Sequence, residues 1–176
     1  MMVLLYVFII IIVSLLIIMF VAPQNYEVTR SLVINKPISE VFNYLRCIKN
    51  QDDWSPWKKK DPNMKQAYFG IDGEVGFIAK WEGNKEVGMG EQEILAIFEN
   101  ESIKSKLRFY RPWKLESDAY IRVESLTENK TNVTWGFTGK NPMPFNVFML
   151  FFNMDKTVGK DFEEGLVNLK QILERY

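Results

Sequence analysis

Apolar residues follow two patterns along the chain, one continuous and one periodic. Positions 1–22 carry only apolar side chains and Ser14, and the first charged residue is Glu27. A helix of this length spans roughly 33 Å at about 1.5 Å per residue, which matches a hydrocarbon core of about 30 Å. The pattern predicts a transmembrane helix at 1–22, a short linker at 23–25 and a globular domain at 26–176.

The apolar segment differs from a cleavable signal sequence. No Lys or Arg precedes it, and it exceeds the ~7–15 residues of a signal core. The large Phe20 stands where a signal peptidase requires a small residue, and Pro23 follows. An uncleaved anchor is therefore the favoured interpretation. Arg30 and Lys36 follow the span, which weakly favours a cytoplasmic location for the globular domain.

The globular part begins with alternating positions and ends with helical ones. "YEVTRSLVIN" (26–35) alternates, so it predicts a strand that Pro37 ends, and Ser39 is expected to cap a helix that continues to about Lys49. Further strands are predicted at 64–71, 75–82, 89–98, 103–111, 115–126 and 131–139, joined by short turns.

The C-terminal segment is apolar at every third or fourth position. This spacing predicts a long helix with one apolar stripe that must be covered by the sheet. Gly159 and Gly165 weaken such a helix, so they are expected to permit close approach of a neighbour. The predicted class is α+β, with a curved antiparallel sheet wrapped around this helix. The stripe consists of Phe151, Met154, Val158, Phe162, Leu166, Leu169 and Leu173.

Four segments resemble the START-like helix-grip superfamily, in its polyketide cyclase/dehydrase-like branch. They are "VTRSLVINKPISEVFNYL", "DDWSPW", "GEQEIL" and "GKDFEEGLVNLK". The resemblance covers about residues 26–176. It implies a cavity between the sheet and the long helix, in which members bind lipids, sterols, polyketides or plant hormones. It implies no catalytic residues, because the superfamily shares no catalytic motif.

Residue composition removes several kinds of chemistry. The chain has no histidine and one cysteine, Cys47, which excludes His-based triads and cysteine-ligated zinc. We expect no metal and no cofactor. The 22 basic and 22 acidic residues balance, which argues against nucleic acid as a partner. The basic run at 58–60 is interpreted as a solvated loop, with anionic lipid headgroups as the alternative partner.

Large apolar side chains are the main functional signal. The sequence has 13 Phe, 5 Trp and 7 Tyr, several of them on single faces of predicted strands. Each is compatible with close-packed core, but together with the resemblance they predict an apolar ligand cavity. The predicted ligand-binding residues are Phe77, Trp81, Leu107, Phe109, Trp135, Phe137, Phe151, Met154 and Asp155.

Two features in this set have alternative interpretations. Asp155 lies beside the apolar stripe, either as a polar anchor in the cavity or, as we favour, as an N-cap of the helix. Phe145, Met149 and Phe152 lie off the stripe, so they need another partner. A packed loop is one candidate, and a membrane-proximal lid through which a ligand enters from the bilayer is the other.

The favoured function is membrane-anchored binding of a hydrophobic small molecule or lipid. The alternatives are a polyketide cyclase/dehydratase-like enzyme and a protein-interaction module of the same fold. The expected partners are membrane lipid and a hydrophobic ligand, and no feature of the sequence indicates a protein partner.

Overall fold

The computed structural model describes residues 2–150 and 153–175 and contains the predicted order of elements. Its helices are α1 (Met2–Val21), α2 (Ile38–Leu45), α3 (Gln51–Trp54), α4 (Pro56–Lys60) and α5 (Met154–Leu173), with 3-10 turns at Ile48–Asn50 and Phe145–Leu150. Its strands are β1 (Asn25–Ile34), β2 (Lys65–Phe69), β3 (Ile78–Glu82), β4 (Met89–Phe98), β5 (Ser102–Arg111), β6 (Leu115–Thr127) and β7 (Lys130–Lys140).

The strands form a seven-stranded antiparallel sheet in the order β1-β7-β6-β5-β4-β3-β2. The predicted α+β helix-grip fold is confirmed, because this curved sheet encloses the long C-terminal helix α5. β1 joins the sheet beside β7, so the first and last strands of the domain are neighbours. The loop between β2 and β3 is longer than predicted and both strands are shorter, because the pairing ends at Phe69 and Ile78.

The apolar stripe of α5 packs on alternate residues of β7. Phe162, Leu166 and Leu169 are buried on the helix, and Trp135 and Phe137 are buried on the strand. The indole of Trp135 stacks on the Phe162 ring, with centroids 3.9 Å apart. This contact packs the helix against the sheet.

Close approach at the two helical glycines is confirmed. A Cβ at Gly165 would lie 2.8 Å from Cζ3 of Trp135, and a Cβ at Gly159 would overlap the Arg30 guanidinium. At Gly165 only a residue without a side chain lets α5 lie this near to Trp135, whereas the guanidinium beside Gly159 ends a flexible side chain that can move away.

The start of α2 differs from the prediction. The helix begins at Ile38, one residue before Ser39, and its N-cap is Pro37, which makes no side-chain cap. Ser39 is therefore inside the first turn, because the fixed φ of Pro37 already directs the chain into the helix. The helix also ends at Leu45, before Cys47.

The N-terminal helix α1 is long and apolar enough to span a membrane, and none of its residues is buried. A signal sequence meets the same criteria of length and composition. Its C-terminal end leads through three residues into β1.

Candidate functional site: an apolar cavity

A cavity of about 390 Å³ lies between the sheet, α5 and the short helices α3 and α4. Its wall is mainly apolar and aromatic, as in many small-molecule sites. Two further depressions, of about 490 and 520 Å³, are lined mainly by polar and charged side chains. The apolar wall consists of Ile48, Trp57, Met64, Ala79, Trp81, Val87, Leu107, Phe109, Pro112, Trp113, Leu115, Ala119, Trp135, Phe137, Met154, Val158 and Phe162.

Most of the predicted ligand residues line this cavity. They project from the three strands β3, β5 and β7 and from the first turn of α5, on the strand positions that face the helix. Trp81 meets Phe109 edge to face at 5.7 Å, and Phe137 meets Phe162 at 5.8 Å. The predicted residues on the cavity wall are Trp81, Leu107, Phe109, Trp135, Phe137 and Met154.

Phe77 lies outside the cavity wall. Its side chain is buried in the core, and its ring stacks on Tyr68 with centroids 6.1 Å apart. The residue precedes β3, where its carbonyl accepts a hydrogen bond from the Ile94 amide at 3.0 Å. The shorter strand explains the difference, because Phe77 no longer shares the alternation that directs Trp81 into the cavity.

Asp155 is neither in the cavity nor the helix cap. Its side chain is 53% exposed and pairs with the Arg30 guanidinium at 2.7 Å. Asn153 caps α5 instead, since its Oδ1 accepts a hydrogen bond from the Lys156 amide at 3.0 Å. The hydrogen bonds from Arg30 lower the pKa of the Asp155 carboxyl, so this group is a surface carboxylate.

The segment before α5 is described only in part. Phe145 is 61% exposed, and it occupies the 3-10 turn Phe145–Leu150. Phe151 and Phe152, and the side chain of Met149, lie outside the described residues. The proposed lid therefore stays a prediction, with the exposure of Phe145 as its described part.

One end of the cavity carries polar groups that sequence reasoning missed. Gln66 donates from Nε2 to both carboxylate oxygens of Asp52, at 2.9 and 3.0 Å, and accepts from Lys58 Nζ at 2.8 Å. Tyr68 donates its hydroxyl hydrogen to Asp52 at 3.4 Å. These four residues all line the cavity and join α3 and α4 to the edge strand β2.

Gln51 contributes a buried donor at the same end. It lines the cavity, and its Nε2 atom is buried without a hydrogen-bond partner among the described residues. A buried amide hydrogen without a partner costs about 1–3 kcal/mol. Such a group is satisfied when a ligand supplies an acceptor.

The tyrosine at this end stays protonated at neutral pH. Burial, and secondly the negative charge of Asp52, raises the pKa of Tyr68 to about 12. Tyr68 therefore acts as a hydrogen-bond donor, with Asp52 as an acceptor. The arrangement suits an apolar molecule that carries an uncharged hydrogen-bonding group. In the part of the chain that the structure describes, no His, Cys, Asp and Glu group is arranged to hold a metal.

Solved structures share this fold at low sequence identity. Norcoclaurine synthase from Thalictrum flavum, determined in complex with dopamine and hydroxybenzaldehyde, has a TM-score of 0.62 at 12% identity, over 91% of this chain and 93% of that one. The Aha1 dimer from Colwellia psychrerythraea has a TM-score of 0.59 at 15% identity, over 85% and 97%. Major latex-like protein 151 from Panax ginseng has 0.57 at 15%, over 85% and 97%.

These likenesses show a shared helix-grip fold, and assignment of the chain to the START-like superfamily stays a prediction. They do not distinguish its polyketide cyclase branch, so that finer assignment stays a prediction. No protein-family model matches the sequence, and the comparison with curated proteins gives no significant match.

Proposed function

We propose that this chain is a membrane-anchored protein that binds one hydrophobic small molecule or lipid in the apolar cavity. The observation that carries the proposal is the cavity of about 390 Å³ with its aromatic wall. Its volume is at the small end for ligand pockets, which favours a compact hydrophobic molecule or a single acyl chain over a diacyl lipid. Helix α1 supports the anchoring by its length and composition.

The polar end narrows the class of ligand. Gln51 offers an unpartnered donor and Asp52 offers acceptor oxygens, so a hydroxyl group can interact with both types of partner. A ligand carboxylate would meet both the negative charge of Asp52 and the positive charge of Lys58, so this end of the cavity gives no net preference for a charged group. We therefore propose an uncharged alcohol, ester or amide as the polar group of the ligand.

Photolabelling in membranes tests this proposal. The full chain is reconstituted in vesicles with a fatty alcohol that carries a diazirine and an alkyne, irradiated and digested with trypsin. We expect label on peptide 131–140, which contains Trp135 and Phe137, in addition to label on α1. Label confined to α1 and to exposed loops would overturn the cavity as a binding site.

A matched pair of variants makes the experiment specific. Ala119 lines the cavity and is 7% exposed, so Ala119→Phe fills part of the space and is expected to abolish labelling of peptide 131–140. Ala79→Phe, on β3, fills the cavity from another strand and serves if the first variant folds poorly. Ala67→Phe on the exposed side of β2 adds the same ring outside the cavity and should leave labelling unchanged.

A further inference from the structure

One end of the sheet is continuous with the N-terminal helix. Asn25, the first residue of β1 after α1, pairs with Lys140 at the end of β7. The same end of the sheet contains the start of β6 at Leu115, which pairs with Phe109, and the end of β5 at Arg111. Adjacent strands are about 4.8 Å apart, so the β5–β6 loop lies about 10–15 Å from β1 across the sheet.

The end of α1 is attached to the segment that precedes α5. Asn146 is fully buried, and its Nδ2 donates to the carbonyl oxygens of Met19 at 2.7 Å and Ala22 at 2.9 Å. Carbonyls at a helix C-terminus lack intrahelical partners, so this amide satisfies two of them. The segment with Phe145 therefore sits directly beside the point where α1 ends.

Exposed apolar side chains cluster on the loops at this end. Trp113 is 80% exposed and Phe145 is 61% exposed, and the last turn of α1 adds Phe20 at 75%. Lys114 and Lys140 are exposed beside them. Tryptophan with flanking lysine is the composition found where proteins meet the headgroup layer of a membrane.

The cavity reaches the same end of the domain. Its apolar wall there consists of Val87 in the β3–β4 loop, Pro112 and Trp113 in the β5–β6 loop, and Leu115 at the start of β6, and the charged side chains of Glu86 and Arg111 line the same end. The polar residue Gln51 lies in α3. The 3-10 turn before α3 is held by a hydrogen bond from the Ile48 amide to Asp72, which belongs to the β2–β3 loop at the opposite end of the sheet.

We infer that Trp113 and Phe145 rest in the headgroup layer of the bilayer and that the cavity opens toward the membrane at Trp113. The inference rests on the proposed function in one respect, that α1 spans the bilayer. With α1 inserted, the short connection to β1 holds this end of the domain against the lipid. An apolar ligand then passes between bilayer and cavity without crossing water.

Spin labels in the full chain test the inference. In a Cys47→Ser background, a nitroxide is attached to Trp113→Cys or, as a matched control, to Ile71→Cys, which is 67% exposed in the loop at the opposite end. The variants are reconstituted in phosphatidylcholine–phosphatidylglycerol vesicles, and collision with oxygen and with a water-soluble nickel chelate is measured. Both sites are exposed, so neither substitution is expected to change the melting temperature.

The ratio of the collision rate with oxygen to that with the nickel chelate is expected to be several-fold higher for the label at position 113 than for the label at position 71. Equal accessibility to the nickel chelate at both positions would overturn the inference. A third label at Ile10→Cys in α1 reports the anchor separately. A lipid-exposed label at 10 with a water-exposed label at 113 rejects the membrane-facing mouth while the anchor stands, whereas a water-exposed label at 10 rejects the anchor itself.

Discussion

At the scale of single residues, Gln51 is the most informative position in the cavity. Its buried Nε2 has no hydrogen-bond partner among the described residues, so an acceptor on a ligand can form a hydrogen bond with it. Removal of the amide breaks no hydrogen bond of Nε2 in the ligand-free protein. We expect Gln51→Leu to leave the melting temperature of the ligand-free protein equal or higher. The same variant should reduce photolabelling of peptide 131–140 by the fatty alcohol about two- to twelvefold at limiting probe, because a hydrogen bond contributes about 0.5–1.5 kcal/mol.

Two results would contradict this prediction for Gln51, and each points to a different error. A melting temperature that falls by several degrees would mean that the amide has a structural partner, and labelling equal to that of the unchanged protein would mean that the ligand does not use it. Gln66→Leu serves as the comparison, since Gln66 is already paired with Asp52 and Lys58 and its loss is expected to destabilise the protein.

Asp155 is predicted to affect stability and not binding. Because hydrogen bonds from Arg30 lower the pKa of its carboxyl, the ion pair stabilises the fold above the ordinary aspartate pKa. That contribution disappears as the pH falls through the lowered pKa. We expect Asp155→Asn to lower the melting temperature at pH 7 and to lower it less as the pH is reduced below the ordinary aspartate pKa, with photolabelling unaffected.

The control for this charge change is Glu128→Gln, in the exposed turn between β6 and β7. Its effect on the melting temperature should be smaller than that of Asp155→Asn at pH 7. An Asp155→Asn loss of equal size at pH 2 and pH 7 would contradict an electrostatic role.

At the scale of elements, helix α5 depends on a glycine at position 165. The added Cβ alone would lie 2.8 Å from Trp135 and 3.4 Å from Pro56 Cδ. We expect Gly165→Leu to reduce the free energy of unfolding by about 1–3 kcal/mol, as overpacked cores do. Urea unfolding of the solubilised protein measures it, and Val167→Leu on the exposed side of the same helix should change it by less than about 0.5 kcal/mol.

Element types were predictable from periodicity, and their ends were less so. The stripe of α5 and the alternation of β7 come from burial on one face, which the sequence records directly. The start of α2 was not predictable, because Pro37 and Ser39 are both residues that favour a helix start, and the sequence does not decide between them. The residues around Phe77 were predicted as part of a strand for a similar reason, since an apolar residue in a buried turn resembles one in a strand.

At the scale of the whole molecule, the helix-grip fold followed from the order of elements, whereas the polar end of the cavity did not. Gln51, Asp52 and Gln66 are ordinary polar residues in sequence, and they meet only because β2 returns beside α3. The pairing of Asp155 with Arg30 was likewise hidden, because the two residues are 125 positions apart. Composition predicted an apolar wall, but only folding assembles the polar groups that would orient a ligand.

The most direct measurement for the central claim is native mass spectrometry of the full chain released from detergent micelles. The account predicts a bound hydrophobic molecule, seen as added mass above the 20.7 kDa chain, that dissociates on activation and is lost in Ala119→Phe but kept in Ala67→Phe. A chain that carries no added mass, and whose melting temperature no class of lipid raises, would contradict it.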